Sequence, residues 1–133
     1  MSKDKFSILT LSIIYLLSGC GSKTQLPDHP IIYEQNENSE EGYSYLSHDD
    51  KMFLPYCAYD AKYMGDCIGY CDLPADEYTD SSRVYIFEVK GFSSDEWIIE
   101  TLTLEHCNEG MILREINATN IPDGLASEYP WNE

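Results

Sequence analysis

Basic side chains are scarce in this sequence. Lys and Arg together number 8 against 24 Asp and Glu in 133 residues, a formal charge of −16 at pH 7. So strong an acidic excess argues against nucleic acid and against anionic lipid headgroups as partners, since both would be repelled. It favours solubility and electrostatically steered encounter with something basic. Long apolar runs are missing too. The longest, Phe6–Leu17, spans 12 residues, and a membrane-crossing helix needs about 20. There is no Cys-x-x-Cys redox pair, no Gly-x-Ser-x-Gly nucleophile turn, no Walker loop and no dinucleotide fingerprint. Histidine is limited to His29, His48 and His106. His48 beside Asp49 has the parts of a base and its orienting carboxylate, but no nucleophile motif accompanies it. The expectation is a non-enzymatic protein without a cofactor.

Metal chemistry finds little support. The adjacent acids Asp49-Asp50, Asp76-Glu77 and Asp95-Glu96 read as solvated turns, the ordinary place for carboxylates. Asp60, Asp66, Asp72, Asp76 and Asp80 supply hard oxygen ligands of the kind calcium prefers. However, no regular ligand loop with a closing Glu is present. No metal is expected.

What is present begins at the N-terminus. Lys3 and Lys5 precede the apolar run, which ends in Leu17-Ser18-Gly19-Cys20. This order resembles a bacterial lipoprotein export signal, with Leu-Ser-Gly-Cys as its lipobox. The resemblance implies that residues 1–19 are a signal peptide and that Cys20 carries the lipid as the first mature residue. The chain would then be held in the cell envelope by more than one acyl chain, which suffices for stable anchoring. Gly21 in place of the aspartate that retains lipoproteins at the inner membrane implies the outer membrane, facing the periplasm, in a two-membrane bacterium. In a one-membrane bacterium the same signal implies the outer face of the cell membrane. The mature chain has 114 residues and a charge of −17, enough for one domain. Residues 20–30, with Gly21, Pro27 and Pro30, read as the lipidated cysteine and a tether. Residues 31–133 read as the single exported domain.

Four further cysteines remain: Cys57, Cys67, Cys71 and Cys107. In a small exported domain an even number reads as two disulfides, with three connectivities open. The expectation leans to one bridge within 57–71 and one from there to Cys107. Zinc is the rival, since Cys67, Cys71, His106 and Cys107 are the right ligand types. The spacing is not that of paired short loops, and oxidised cysteines do not ligate.

Turn signals cut the remainder into short strands. Ile31–Tyr33 and Tyr43–Leu46 flank a polar turn over 36–42 and resemble a hairpin. A turn at His48–Lys51 leads to a strand over 51–54, closed by Pro55. Residues 57–82 are rich in Cys, Gly, Asp and Pro, with Ile68–Cys71 as a further strand. Val84–Val89 is β-branched and aromatic. Trp97–Leu104 and Met111–Ile116 follow as strands, and the tail from Asn117 is irregular. The expected fold is mostly β, with β-rich α+β as the alternative. It is a small antiparallel sheet or barrel-like sandwich, stapled by disulfides and preceded by the signal segment. Phe53-Leu54-Pro55-Tyr56, Ile68-Gly69-Tyr70, Val84–Phe92 and Asp95–Ile99 resemble, in order, pieces of small exported bacterial domains of unassigned function. That resemblance implies a compact β-rich domain and no activity.

Eleven tyrosines suit half-buried strands and also recognition surfaces. The candidate binding surface comprises Tyr43, Tyr45, Tyr59, Tyr63, Tyr70, Asp76, Glu77 and Trp97. The expected function is that of an acidic, lipid-anchored binding domain, for example an immunity or inhibitor protein against a basic secreted partner. The alternative is a structural or assembly lipoprotein of the envelope, and a hydrolase or metal enzyme ranks third.

Overall fold

The computed structural model describes residues 25–75, 77, 80–104 and 110–132. Its strands are β1 (Ile31–Asn38), β2 (Tyr43–His48), β3 (Lys51–Ala58), β4 (Met64–Leu73), β5 (Ser82–Val89), β6 (Trp97–Thr101) and β7 (Met111–Glu115). Helical geometry among the described residues is limited to 3-10 turns at Ala61–Tyr63 and Pro130–Asn132. The strands close into a barrel in the order β1-β2-β3-β7-β6-β5-β4. All the pairings are antiparallel except the closing one, β1 on β4, which is parallel. The mostly β, barrel-like expectation is met.

Local chemistry explains the hairpins. Between β1 and β2 the Asn38 carbonyl accepts the Gly42 N–H at 2.8 Å, and Gly42 takes φ +80°, a conformation glycine adopts without penalty. Between β2 and β3 only Asp49 and Asp50 intervene, both at positive φ (47° and 66°). That is the signature of a type I′ turn, whose twist matches the flanking strands.

Alternation along β5, β6 and β7 buries both faces of that part of the sheet. One cluster draws on all the strands and fills the barrel: Tyr33, Leu46, Phe53, Cys71, Val84, Ile86, Ile98 and Leu113. The second cluster lies on the opposite face and includes Tyr56, Cys57, Met64, Cys67, Phe87, Val89, Trp97, Ile99 and Ile112. Leu26, Tyr59, Tyr63 and Leu125 pack against it, so chain from both ends of the domain covers this face. The segment read as a tether thus touches the domain at Leu26.

Several strand limits differ from expectation. β1 continues to Asn38, so Asn36–Asn38 pair with β2 where a polar turn was expected, and β2 and β5 run two residues longer than expected. β4 runs for 10 residues where a loop with a short strand was expected. Its Cys and Gly content reflects two register shifts against β5, between Met64 and Cys67 and between Cys67 and Gly69. β3 continues through Pro55 to Ala58. It can do so because β2 pairs with it only at residues 51–53, leaving Pro55 on an open seam where no N–H is required. β6 ends at Thr101, short of Leu104.

The C-terminal tail fills that seam. Glu128 N–H donates to the Tyr56 carbonyl at 2.8 Å, and the Glu128 carboxylate accepts the Ala58 N–H at 3.2 Å. The Trp131 indole donates to the Pro55 carbonyl at 3.0 Å.

Barrel closure depends on Gly69. It pairs with Ile31 in the parallel contact, and a Cβ on it would stand 2.0 Å from the Ile31 carbonyl oxygen. No rotamer relieves a clash with backbone, so one strand must move away. Gly69→Ala is expected to destabilise the domain by about 1–3 kcal/mol, the usual range for overpacking. Urea unfolding reads this as a lowered midpoint. An unchanged midpoint would mean that β1 is not held against β4 at this position.

Candidate functional site

The outward positions of β1, β2 and the start of β3 form an exposed face with a depression. Register pairs Glu34 with Ser47 and Asn36 with Tyr45, so these four side chains share one side of the sheet. Asn36 Nδ2 donates to Ser47 Oγ at 2.8 Å and fixes the middle of the face. The Asp49-Asp50 turn rises at its end, and together these residues line an open depression of about 580 Å³. Ile32, 55% exposed, and Met52 give it an apolar floor.

Charge at this face is one-sided. Lys51 lines the depression, yet its ammonium pairs with Asp95 at 3.7 Å. The His48 ring lies with Nδ1 3.3 Å from the Ile32 carbonyl oxygen and Nε2 3.4 Å from the Asp49 carboxylate. No lysine or arginine among the described residues pairs with Glu34, Asp49 or Asp50. His48 and Asp49 therefore lie in contact at the turn.

An aromatic strip adjoins the depression through Tyr45. Tyr43 and Tyr45 meet edge to face at 6.2 Å. Tyr43 packs on Trp131 at 4.7 Å, and Trp131 stacks on Tyr129 at 4.7 Å with 10° between planes. Such rings join an apolar face to a polar tip, as recognition surfaces do. Tyr129 and Trp131 carried no sequence signal, because only the seam in β3 brings the irregular tail back to β2.

The remaining expected surface residues scatter. Tyr59 and Tyr63 pack on the second cluster, and the Tyr63 hydroxyl donates to the Asp123 carbonyl at 2.7 Å. Tyr70 lies under the Arg83 guanidinium at 3.8 Å, and Arg83 pairs with Asp72 at 2.6 Å. That hydrogen bond holds the Asp72 carboxyl below its usual range. Glu77 is exposed on the connection after β4. Asp76 lies outside the described residues, as do Cys20, His106 and Cys107.

Two expectations need correction. Trp97 is not a surface residue: it is fully buried in the second cluster, stacks edge to face on Tyr56 at 4.9 Å and donates its indole N–H to the Asn120 carbonyl at 2.7 Å. Truncating such a ring costs about 3–5 kcal/mol of stability, so its loss would not report on binding. The disulfide staple within 57–71 is not formed either, since Cys57, Cys67 and Cys71 are free and buried. Cys67 sits in the second cluster and Cys71 in the barrel. Four residues apart along one strand they are roughly 13 Å apart, beyond the span of a disulfide. A bond to Cys107 falls outside the described residues. The same division separates Cys67 and Cys71 as zinc ligands.

Burial pushes the Cys57 and Cys71 thiols up to about 11 and raises Cys67 as well. Thiolate is the reactive form. At pH 8 the folded protein is expected to label slowly at all three cysteines with a thiol reagent, and quickly in urea. Peptide mapping by mass spectrometry tests this, and rapid labelling of folded protein would contradict the packing.

Glu100 is an inward-facing acid. Register places it opposite Ile86 and Met111, on the barrel side of β6, and burial raises its carboxyl above the ordinary 4.5. The folded state therefore binds a proton that the unfolded state has already released. Stability falls as pH rises from about 4.5 through the raised value, and the loss persists at neutral pH. Glu100→Gln is expected to raise the urea midpoint at pH 7 and to flatten this part of the pH profile. Equal midpoints at pH 7 would place the carboxylate in water. No family model matches the chain, and no curated protein or solved structure resembles it.

Proposed function

We propose that this chain is a lipid-anchored, non-enzymatic binding domain of the bacterial cell envelope that docks a basic secreted protein, as an immunity or inhibitor protein does. The observation that carries this reading is the outer face of β1 and β2. Its carboxylates, Glu34, Asp49 and Asp50, lack a lysine or arginine partner among the described residues, and Tyr43 and Tyr45 stand beside them. A basic partner meets there both an attractive field, which speeds encounter, and rings that supply contact area. The formal charge of −16 extends the field around the molecule. The export signal supports anchoring through Cys20 and a location facing the periplasm or the cell exterior.

Two linked measurements test this reading. Full-length protein is expected to partition with membranes, and Cys20→Ser to release it into the soluble fraction. Immobilised full-length protein is expected to capture one basic protein from secreted and envelope fractions and to lose it at high salt. Reversal of Asp49 and Asp50 to lysine should slow association at least several-fold. An on-rate unchanged by reversal would remove this face from the reading, and persistence of Cys20→Ser in membranes would remove the anchor.

A further inference from the structure

The chain already shows how it holds an arginine. On the outer face of β4, Tyr70 and Asp72 stand two residues apart and point the same way. Arg83 of β5 lies over the Tyr70 ring at 3.8 Å while its Nε and Nη2 donate to the two Asp72 carboxylate oxygens at 2.6 and 3.2 Å. A ring below and a carboxylate ahead is a grip suited to guanidinium, which is planar, stacks on aromatic faces and bonds carboxylates in a bidentate manner. Lys62 over Tyr63 at 5.1 Å and Arg114 over Tyr56 at 5.9 Å repeat the ring contact. Three of the five described cations are thus seated on tyrosine.

The same pair of groups recurs in the depression, where the lining Lys51 pairs with Asp95 instead. Ser47 is two residues from Tyr45 and opposite Glu34, so Tyr45 and Glu34 are diagonal neighbours on one face, separated by about 7–8 Å between backbones. That is close to the spacing of alternate residues along a strand, about 6.6 Å, as for Tyr70 and Asp72. Glu34 lacks a lysine or arginine partner among the described residues, and Lys51 is turned to Asp95. Asp50 adds a second carboxylate, and Ile32 and Met52 offer an apolar floor to the three methylenes of an arginine stem.

Resting on the proposed binding role, we propose that the depression beside Tyr45 is an arginine socket: a guanidinium of the basic partner stacks on Tyr45 and pairs with Glu34, as Arg83 does with Tyr70 and Asp72. Arginine is favoured over lysine because an ammonium neither stacks as a plane nor spans both carboxylate oxygens.

The test uses the full-length chain in zwitterionic detergent. It is titrated at low salt with three short peptides identical except for one residue, arginine, lysine or the uncharged isostere citrulline. Amide chemical shifts locate the contact and give affinity. The arginine peptide is expected to shift Glu34, Tyr45, Ser47 and Asp50 and to bind several-fold more tightly than the lysine peptide. The citrulline peptide should bind weakest. Tyr45→Ala should weaken the arginine peptide by about threefold, in line with exposed cation–π contacts. Glu34→Gln should weaken it further while leaving the urea midpoint in place. Shifts confined to another face, or equal affinity for arginine and lysine, would overturn the socket and leave the acidic binding role standing. Absence of binding by every peptide at low salt would overturn both.

Discussion

The parallel contact of β1 with β4 turns a curled sheet into a barrel, and it exists because Gly69 has no side chain. Ile31 brings its carbonyl into the space a Cβ would take. That contact pairs residues 31–33 of β1 with 69–71 of β4, so these stretches are not left as an open edge for another chain to extend. It also fixes the face that β1 presents. Tyr33 turns inward onto Phe53, and Ile32 and Glu34 turn outward by alternation. The depression at the Asp49-Asp50 turn therefore owes its floor to a glycine on the far strand of the contact.

A second constraint acts at Pro55. β3 has no N–H to offer there, β2 diverges, and the resulting seam is filled by Glu128 and Trp131. The tail has further anchor points. Asn120 accepts from Trp97, Asp123 accepts from Tyr63, and Leu125 packs on the second cluster. The outer face of β5–β7, apolar enough to need cover, and the aromatic strip beside β2 are thus both finished by residues that form no strand. Glu115 ties the inner end of the same tail. Its carboxylate accepts N–H groups from Met52 and Asn117 at 3.2 and 2.9 Å, which satisfies a buried acid with backbone donors.

Much of the strand pattern was legible because it rests on local chemistry. The alternation and β-branching of residues 84–89 and the Asp49-Asp50 turn both express short-range preferences. Residues 57–73 were not legible. Their glycines and cysteines look like loop composition, whereas in β4 they serve register shifts and a close backbone approach. Pro55 looked like a strand end because its neighbours across space were unknown. Of the expected surface residues, Tyr43 and Tyr45 share the outer face of β2, whereas Trp97 is buried: an amphipathic ring reads the same in a core as on a surface. Glu34, Tyr129 and Trp131 join the face only through register and the return of the tail, and no local pattern encodes either. The cysteine reading followed compartment and number, whereas the observed packing places Cys71 in a different core from Cys57 and Cys67.

The few cations show how the acidic surface is left open. Lys51 turns to Asp95, Arg83 to Asp72 and Tyr70, Lys62 to Tyr63, and Arg114 to Tyr56 and the Ala118 carbonyl. These four of the five described cations are engaged elsewhere, and no described lysine or arginine pairs with Glu34 or Asp50. Repulsion among unneutralised acids opposes compact folding, and two hydrophobic clusters on opposite faces of β5–β7 offset it. A domain selected for stability alone would gain from a lysine at Ser47 or Asn36, beside Glu34. Both positions instead hold small polar groups bonded to each other, which keep the face flat and its charge negative. The sequence thus retains an electrostatic cost on a face that Tyr45 and Glu34 share.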